Sequence, residues 1–191
     1  MRNVKKIIFI LGAVVSVAPP LYAEKPISSA KEISCKEFVQ DFYDWYLRIY
    51  MTDNKVPAAK IALKKRPEIF SPELFQALGN DFKAQELATD GISGIDFDPF
   101  LDSQDAPPSY KVIKTVVKSN GCMAEVSGVG PDWMNKGQAL YTPKIKVELQ
   151  YKNRKWIFIN FKYLNQGNYS PDNLLGQLKW WEDIRKKSER K

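Results

Sequence analysis

The 191-residue chain contains no histidine and only two cysteines. The first absence excludes Ser-His-Asp and Cys-His catalysis, together with every zinc site that needs imidazole. Two sulfur atoms are too few for a thiolate zinc centre or an iron–sulfur cluster. Beyond the first 23 residues no apolar run is long enough to cross a bilayer, and the chain shows no internal repeat or low-complexity segment. An enzyme built on this chain would have to work with Asp, Glu, Lys, Tyr or Ser and no imidazole partner. No residue stands out as catalytic, and no cofactor is expected.

The chain opens with the parts of a secretory signal. Arg2, Lys5 and Lys6 precede an apolar run from Ile7 to Ala18, and Pro19 and Pro20 lead into Leu21-Tyr22-Ala23. The run is about 12 residues long, where a membrane-spanning helix needs roughly 20. Residues 1–23 are therefore expected to be a cleavable signal peptide, and no cysteine follows at a lipoprotein-type cleavage point. Its removal would leave 168 residues, enough for one domain with a proper core, and would lower the formal net charge from +7 to +4. In an oxidising compartment Cys35 and Cys122 are expected to be bridged, the alternative being two buried thiols that never meet. The basic tail Arg185-Lys186-Lys187 reads as a solvated helix end that complements the dipole, and nucleic acid is not an expected partner.

Residues 24–33 read as a flexible lead-in to a single domain over 34–187. Ser34 and Glu37 form a capping-box pattern, followed by Phe38, Phe42, Trp45, Tyr46 and Ile49 at helical spacing. A short basic helix over Ala58 to Lys65 stops at Pro67. Ser71-Pro72 then starts a helix with Leu74, Phe75, Leu78, Phe82 and Leu87 as its apolar face. The period changes at Tyr110, where a β-branched run leads through Asn120-Gly121, a hairpin signal, into a return strand from Cys122 to Val129. Ile145, Val147, Leu149 and Tyr151 alternate with polar residues, and Lys152-Asn153-Arg154 turns the chain into Trp156 to Tyr163. That last run is almost wholly apolar and is expected to be central in the sheet. Ser170-Pro171 begins a closing helix that carries Leu174, Leu178 and Trp181. Helices, then a meander of about four strands, then a helix predict an α+β fold: N-terminal helices on a curved antiparallel sheet, with a C-terminal helix.

The blocks Arg66-Pro67-Glu68-Ile69-Phe70-Ser71-Pro72-Glu73-Leu74 and Asp96-Phe97-Asp98-Pro99-Phe100-Leu101-Asp102-Ser103-Gln104-Asp105 resemble an exported bacterial family, domain-of-unknown-function family 3828. The similarity covers nearly all of residues 35–185 and includes the aromatic first helix, the Trp156-Ile157-Phe158-Ile159 strand and the Asn173-Leu174-Leu175 helix start. The resemblance implies a cystatin-like cone, as in nuclear transport factor and ketosteroid isomerase, and implies no particular activity.

Three constellations could carry function. Asp96, Asp98, Asp102 and Asp105 could hold a calcium or magnesium ion, although the spacing lacks the Gly and Glu of an EF-hand. Asp98 and Asp102 also fit caps and turns around Pro99, with Phe97 and Phe100 plugging the core, and a third reading is an acidic loop that faces a partner. Phe42, Trp45 and Tyr46 could line a cone pocket with Tyr151 and Trp156 as its floor, or could simply be core. Trp133, in a loop flanked by Gly130-Pro131 and Gly137, could anchor a partner or could tuck back onto its own domain. Together these features predict a periplasmic or secreted, non-catalytic binding module acting on a protein, peptide or envelope component, one version of which is an immunity-type inhibitor of a toxin. The alternative is a small-molecule binder or histidine-independent enzyme using the cone.

Overall fold

The structure is a computed structural model and describes residues 27–52, 55–88, 94–104, 106–130, 145–164 and 171–188. The signal segment, Trp133, Asp105 and Ser170 lie outside these residues. The elements run α1 (Ile27–Tyr50), α2 (Ala58–Lys65), a 3-10 turn (Pro67–Ile69), α3 (Pro72–Leu87), β1 (Ser109–Lys118), β2 (Gly121–Val129), β3 (Ile145–Lys152), β4 (Lys155–Tyr163) and α4 (Leu174–Ser188). The strands form one antiparallel sheet in the order β1-β2-β3-β4. This is the expected α+β layout, with helices before the sheet and one after it.

Several local expectations are met because nearby residues decide them. Ser71 caps α3, its Oγ accepting from Leu74 N at 3.2 Å, with Pro72 in the first turn. Asn153 and Arg154 both take positive φ (52° and 61°), which is what a tight two-residue hairpin between β3 and β4 requires. Cys35 and Cys122 are bonded, tying α1 to β2 across 87 residues.

Other expectations need correction. α1 begins at Ile27 and not at Ser34, so the lead-in is already helical over 27–33, a stretch with no Gly or Pro to stop propagation. Ser34 is no cap: its hydroxyl donates back to Lys31 O and accepts from the indole Nε1 of Trp156 at 3.0 Å. The β1–β2 turn is Ser119-Asn120, one residue before the expected Asn120-Gly121, because Gly121 already pairs with Lys118. That register points Cys122 inward to Cys35, and a one-residue slip would turn it to the opposite face. α4 is capped by Asn173, whose Oδ1 accepts from Gly176 N at 2.9 Å, and Pro171 precedes it outside the helix. β4 is an edge strand and not a central one. Its open side is covered by Phe70-Ser71, where Ser71 N donates to Phe158 O, and by Asp172, whose carbonyl accepts from Tyr163 N. The edge of β1 is covered near its start by Gln40, whose side-chain amide donates to Tyr110 O and accepts from Val112 N.

α1 lies against the sheet, and the space between them is filled by rings. Phe42 sits 5.4 Å from Tyr46, 5.5 Å from Phe100 and 4.7 Å from Phe158, centroid to centroid. Phe70 stacks on Phe100 at 5.4 Å, and Phe161 closes on Phe100 at 5.0 Å. Burial of aromatics of this size supplies much of the core's apolar area. Of the expected α3 face, Leu74, Leu78 and Phe82 are buried, whereas Phe75 and Leu87 are exposed.

Buried Asp81 lies on this face of α3. Its carboxylate accepts from Arg185 Nη1 at 2.8 Å, from Gln85 Nε2 at 2.8 Å and from Ile95 N at 3.3 Å. Arg185 is therefore not the solvated helix end that the basic tail suggested: it latches α4 to α3.

Candidate functional site

The Asp96–Gln104 segment is a turn held by distant hydroxyls. Asp98 caps a single helical turn, its Oδ1 accepting from Phe100 N at 3.0 Å and Leu101 N at 3.1 Å, with Pro99 between. Asp102 ends the turn in the left-handed region at φ 49°, where its N–H donates to Asp98 O. Ser103 O then accepts from Asp98 N and closes the loop.

Five tyrosines converge on this segment. From α1, Tyr43 OH donates to Phe100 O at 3.0 Å, Tyr46 OH to Asp98 Oδ2 at 2.5 Å and Tyr50 OH to Gln104 O at 2.5 Å. From β1, Tyr110 OH donates to Leu101 O at 2.9 Å; from β4, Tyr163 OH donates to Pro99 O at 2.9 Å. The hydroxyls of Tyr43, Tyr110 and Tyr163 satisfy loop carbonyls that would otherwise be buried without a partner. Phe100 drives into the core, and Phe97 meets Tyr163 edge-on at 5.4 Å.

The electrostatics follow from this burial. Removal from water pushes the Asp98 carboxyl up to about 6, against the opposing pull of the Tyr46 hydroxyl and the two backbone N–H groups. Tyr43, Tyr46, Tyr110 and Tyr163 are all raised, first by burial and then by neighbouring charges such as Asp98. They stay neutral donors throughout the physiological range. Asp98 has no cationic partner among the described residues.

Beside Asp98 a cleft of about 360 Å³ opens between the end of α1, the start of α2, α3 and the loop. Tyr50, Phe82 and Phe97 contribute to its wall, as do Gln85, Asp96 and Gln104.

Of the contact residues expected from sequence, the four that are described, Trp45, Tyr46, Tyr151 and Trp156, do not gather in one pocket. Tyr46 and Trp156 are buried, and Tyr151 packs on Trp156 at 4.9 Å. Trp45 is half-buried, with the Arg66 guanidinium 5.0 Å from its ring. The room between α1 and the sheet that they were expected to line is occupied by Phe42, Phe100 and Phe158. Among the described residues no group of three or more Asp, Glu or Cys side chains stands close enough to hold a metal ion. Asp98, the central member of the aspartate set, spends three acceptor positions on the turn and Tyr46. The Asp96 carbonyl accepts from Gln104 Nε2 at 3.0 Å. The tyrosine donors were missed because no local pattern joins them to the loop, although an Asp-Phe-Asp-Pro-Phe block facing so many tyrosines was a usable signal.

The bonded cysteine pair is compatible with an exported protein, and among the described residues no helix is long and apolar enough to cross a membrane. Comparison with protein-family models, curated proteins and solved structures finds no match.

Proposed function

We propose that this chain is an exported binding module of the bacterial envelope, without catalysis of its own, which recognises its ligand or partner through its exterior. The observation that carries this reading is the use made of the buried polar groups. The carboxylate and tyrosines that could have served as base and oxyanion donors are tied to a loop, in an interior filled by rings. An isomerase-type pair needs both groups aimed at a cavity that admits substrate. Here Tyr46 and Asp98 are aimed at one another. The disulfide supports the exported location, and the resemblance to the exported family fits it.

The test is site-specific photo-crosslinking in cells that export the protein, with the reactive group placed at Asp96 on the cleft rim and, separately, at exposed Leu87 and Trp180. A discrete adduct from one of these positions is the expected result. Turnover of any substrate by the purified protein that Tyr46→Phe abolishes, with the fold intact, would overturn the reading.

A further inference from the structure

We propose that the cleft beside Asp98 takes a small organic ammonium compound, its charge set against Asp98 and Asp96 and its alkyl groups against Tyr50, Phe82 and Phe97. This rests on the binding reading above and names a ligand class for it.

The first observation is the sign of the cleft. The chain carries 29 Lys and Arg against 22 Asp and Glu. Four other surface clefts, of about 430 to 620 Å³, each include a basic side chain: Lys179 and Arg185 in one, Arg66 in another, Lys118 in two. Among the described residues, the wall of the cleft beside Asp98 carries Asp96 and Asp98 and no Lys or Arg. On a basic protein that is a local inversion, and it draws cations in while turning anions away.

The second observation is an acceptor left over. A carboxylate offers about four lone-pair positions. Asp98 Oδ1 takes two backbone N–H groups and Oδ2 takes the Tyr46 hydroxyl. One position on Oδ2 remains, and a half-buried carboxylate with no cation beside it among the described residues is a charge awaiting a partner.

The third is the apolar lining. Rings favour a diffuse alkylammonium over a compact, strongly hydrated metal ion, because they attract the charge through their faces and cannot replace a metal's oxygen shell. Phe82 already shows this behaviour at the cleft margin, where Lys60 Nζ lies 5.7 Å from its centroid while paired with Glu86. The neutral amides of Gln85 and Gln104 complete a wall that offers acceptors without opposing charge.

The experiment titrates the purified oxidised protein with choline, with its neutral isostere 3,3-dimethyl-1-butanol, and with calcium chloride. Binding is followed through the NMR side-chain amide signals of Gln85 and Gln104. Choline is expected to bind at least about ten-fold more tightly than the isostere. Asp98→Asn should weaken choline about ten-fold, and Asp96→Asn about three-fold. Asp96 lies on the exposed rim, so its variant keeps the test open should Asp98→Asn disturb the turn. Equal binding of choline and the isostere would overturn charge recognition. Calcium shifting the same signals and displacing choline would overturn the proposal in favour of a metal. Silence from all three probes would overturn it as well, while leaving the crosslinking test of the binding reading unaffected.

Discussion

Asp98 gives a prediction whose sign changes with pH. Its carboxyl titrates near 3.8 in the unfolded chain and at about 6 in the folded one. Because the folded value is the higher, the folded state holds the proton more tightly. The contribution to stability is fully present below the unfolded value and is lost as pH rises through 6. The displacement corresponds to about 3 kcal/mol, an upper bound because the residue keeps some contact with solvent. Asp98→Asn removes the charge while retaining an Oδ1 to cap Phe100 N and Leu101 N, and Asn caps as well as Asp. The Tyr46 hydroxyl then faces an amide and loses its acceptor, which costs about 1 kcal/mol. The variant should therefore be more stable than the parent by about 2 kcal/mol at pH 7.5, and equal or slightly less stable at pH 4. In a chain of this size about 2 kcal/mol corresponds to roughly 4–8 °C in Tm. Urea unfolding followed by tryptophan fluorescence, at pH 4, 5, 6 and 7.5, measures the difference directly. Other titrating carboxylates cancel in the comparison of variant with parent. A difference that stays constant from pH 4 to pH 7.5 would refute the reasoning.

Tyr46→Phe removes a donor that stabilises the ionised carboxylate, so the loss of stability with rising pH, which begins at the same unfolded value, should continue to higher pH than in the parent; the same urea series reads where the loss levels off, and an unmoved end point contradicts it. Arg185→Ala strands the carboxylate of Asp81 and should cost about 3 kcal/mol in urea unfolding, part of which Asp81→Asn in the same chain recovers; no recovery would mean that the loss is packing alone. Replacing Cys35 and Cys122 together by Ala opens a loop of 87 residues and should lower stability by about 4 to 5 kcal/mol, seen as a fall in the urea midpoint. Because both sulfurs are buried, free thiol should appear in the native protein under mild reductant only as fast as the domain opens, and rapid thiol labelling without unfolding would contradict that.

What could be read from the sequence follows how far apart the deciding residues lie. The Ser71 cap, the Asn153-Arg154 turn and the alternation of Ile145, Val147 and Leu149 are settled within a few positions, and all were legible. The edge position of β4 was not, because an apolar strand looks the same whether a neighbouring strand or the Phe70-Ser71 segment covers its side. Asp81 on the inner face of α3 made no sense locally, since its partner is 104 residues further on. The aspartate block around Pro99 was legible as a capped turn, and its tyrosines were not, because Tyr43 lies 57 residues before its acceptor and Tyr163 lies 64 after. The Asp98 cleft, assembled from α1, α2, α3 and the loop, shares that long-range origin.

The tyrosine contacts also set an order of assembly. A chain made or delivered N-terminus first presents α1 long before anything it rests on exists. Tyr43, Tyr46 and Tyr50 wait for the turn at Asp98, Cys35 waits for Cys122, and the turn itself is not fully held until Tyr163 arrives in the last strand. Until then α1 is an amphipathic helix with its rings in water, open to proteases and to any chaperone that collects such surfaces. The protein should therefore fold late and all at once, and fragments ending before β4 should be degraded and not accumulate.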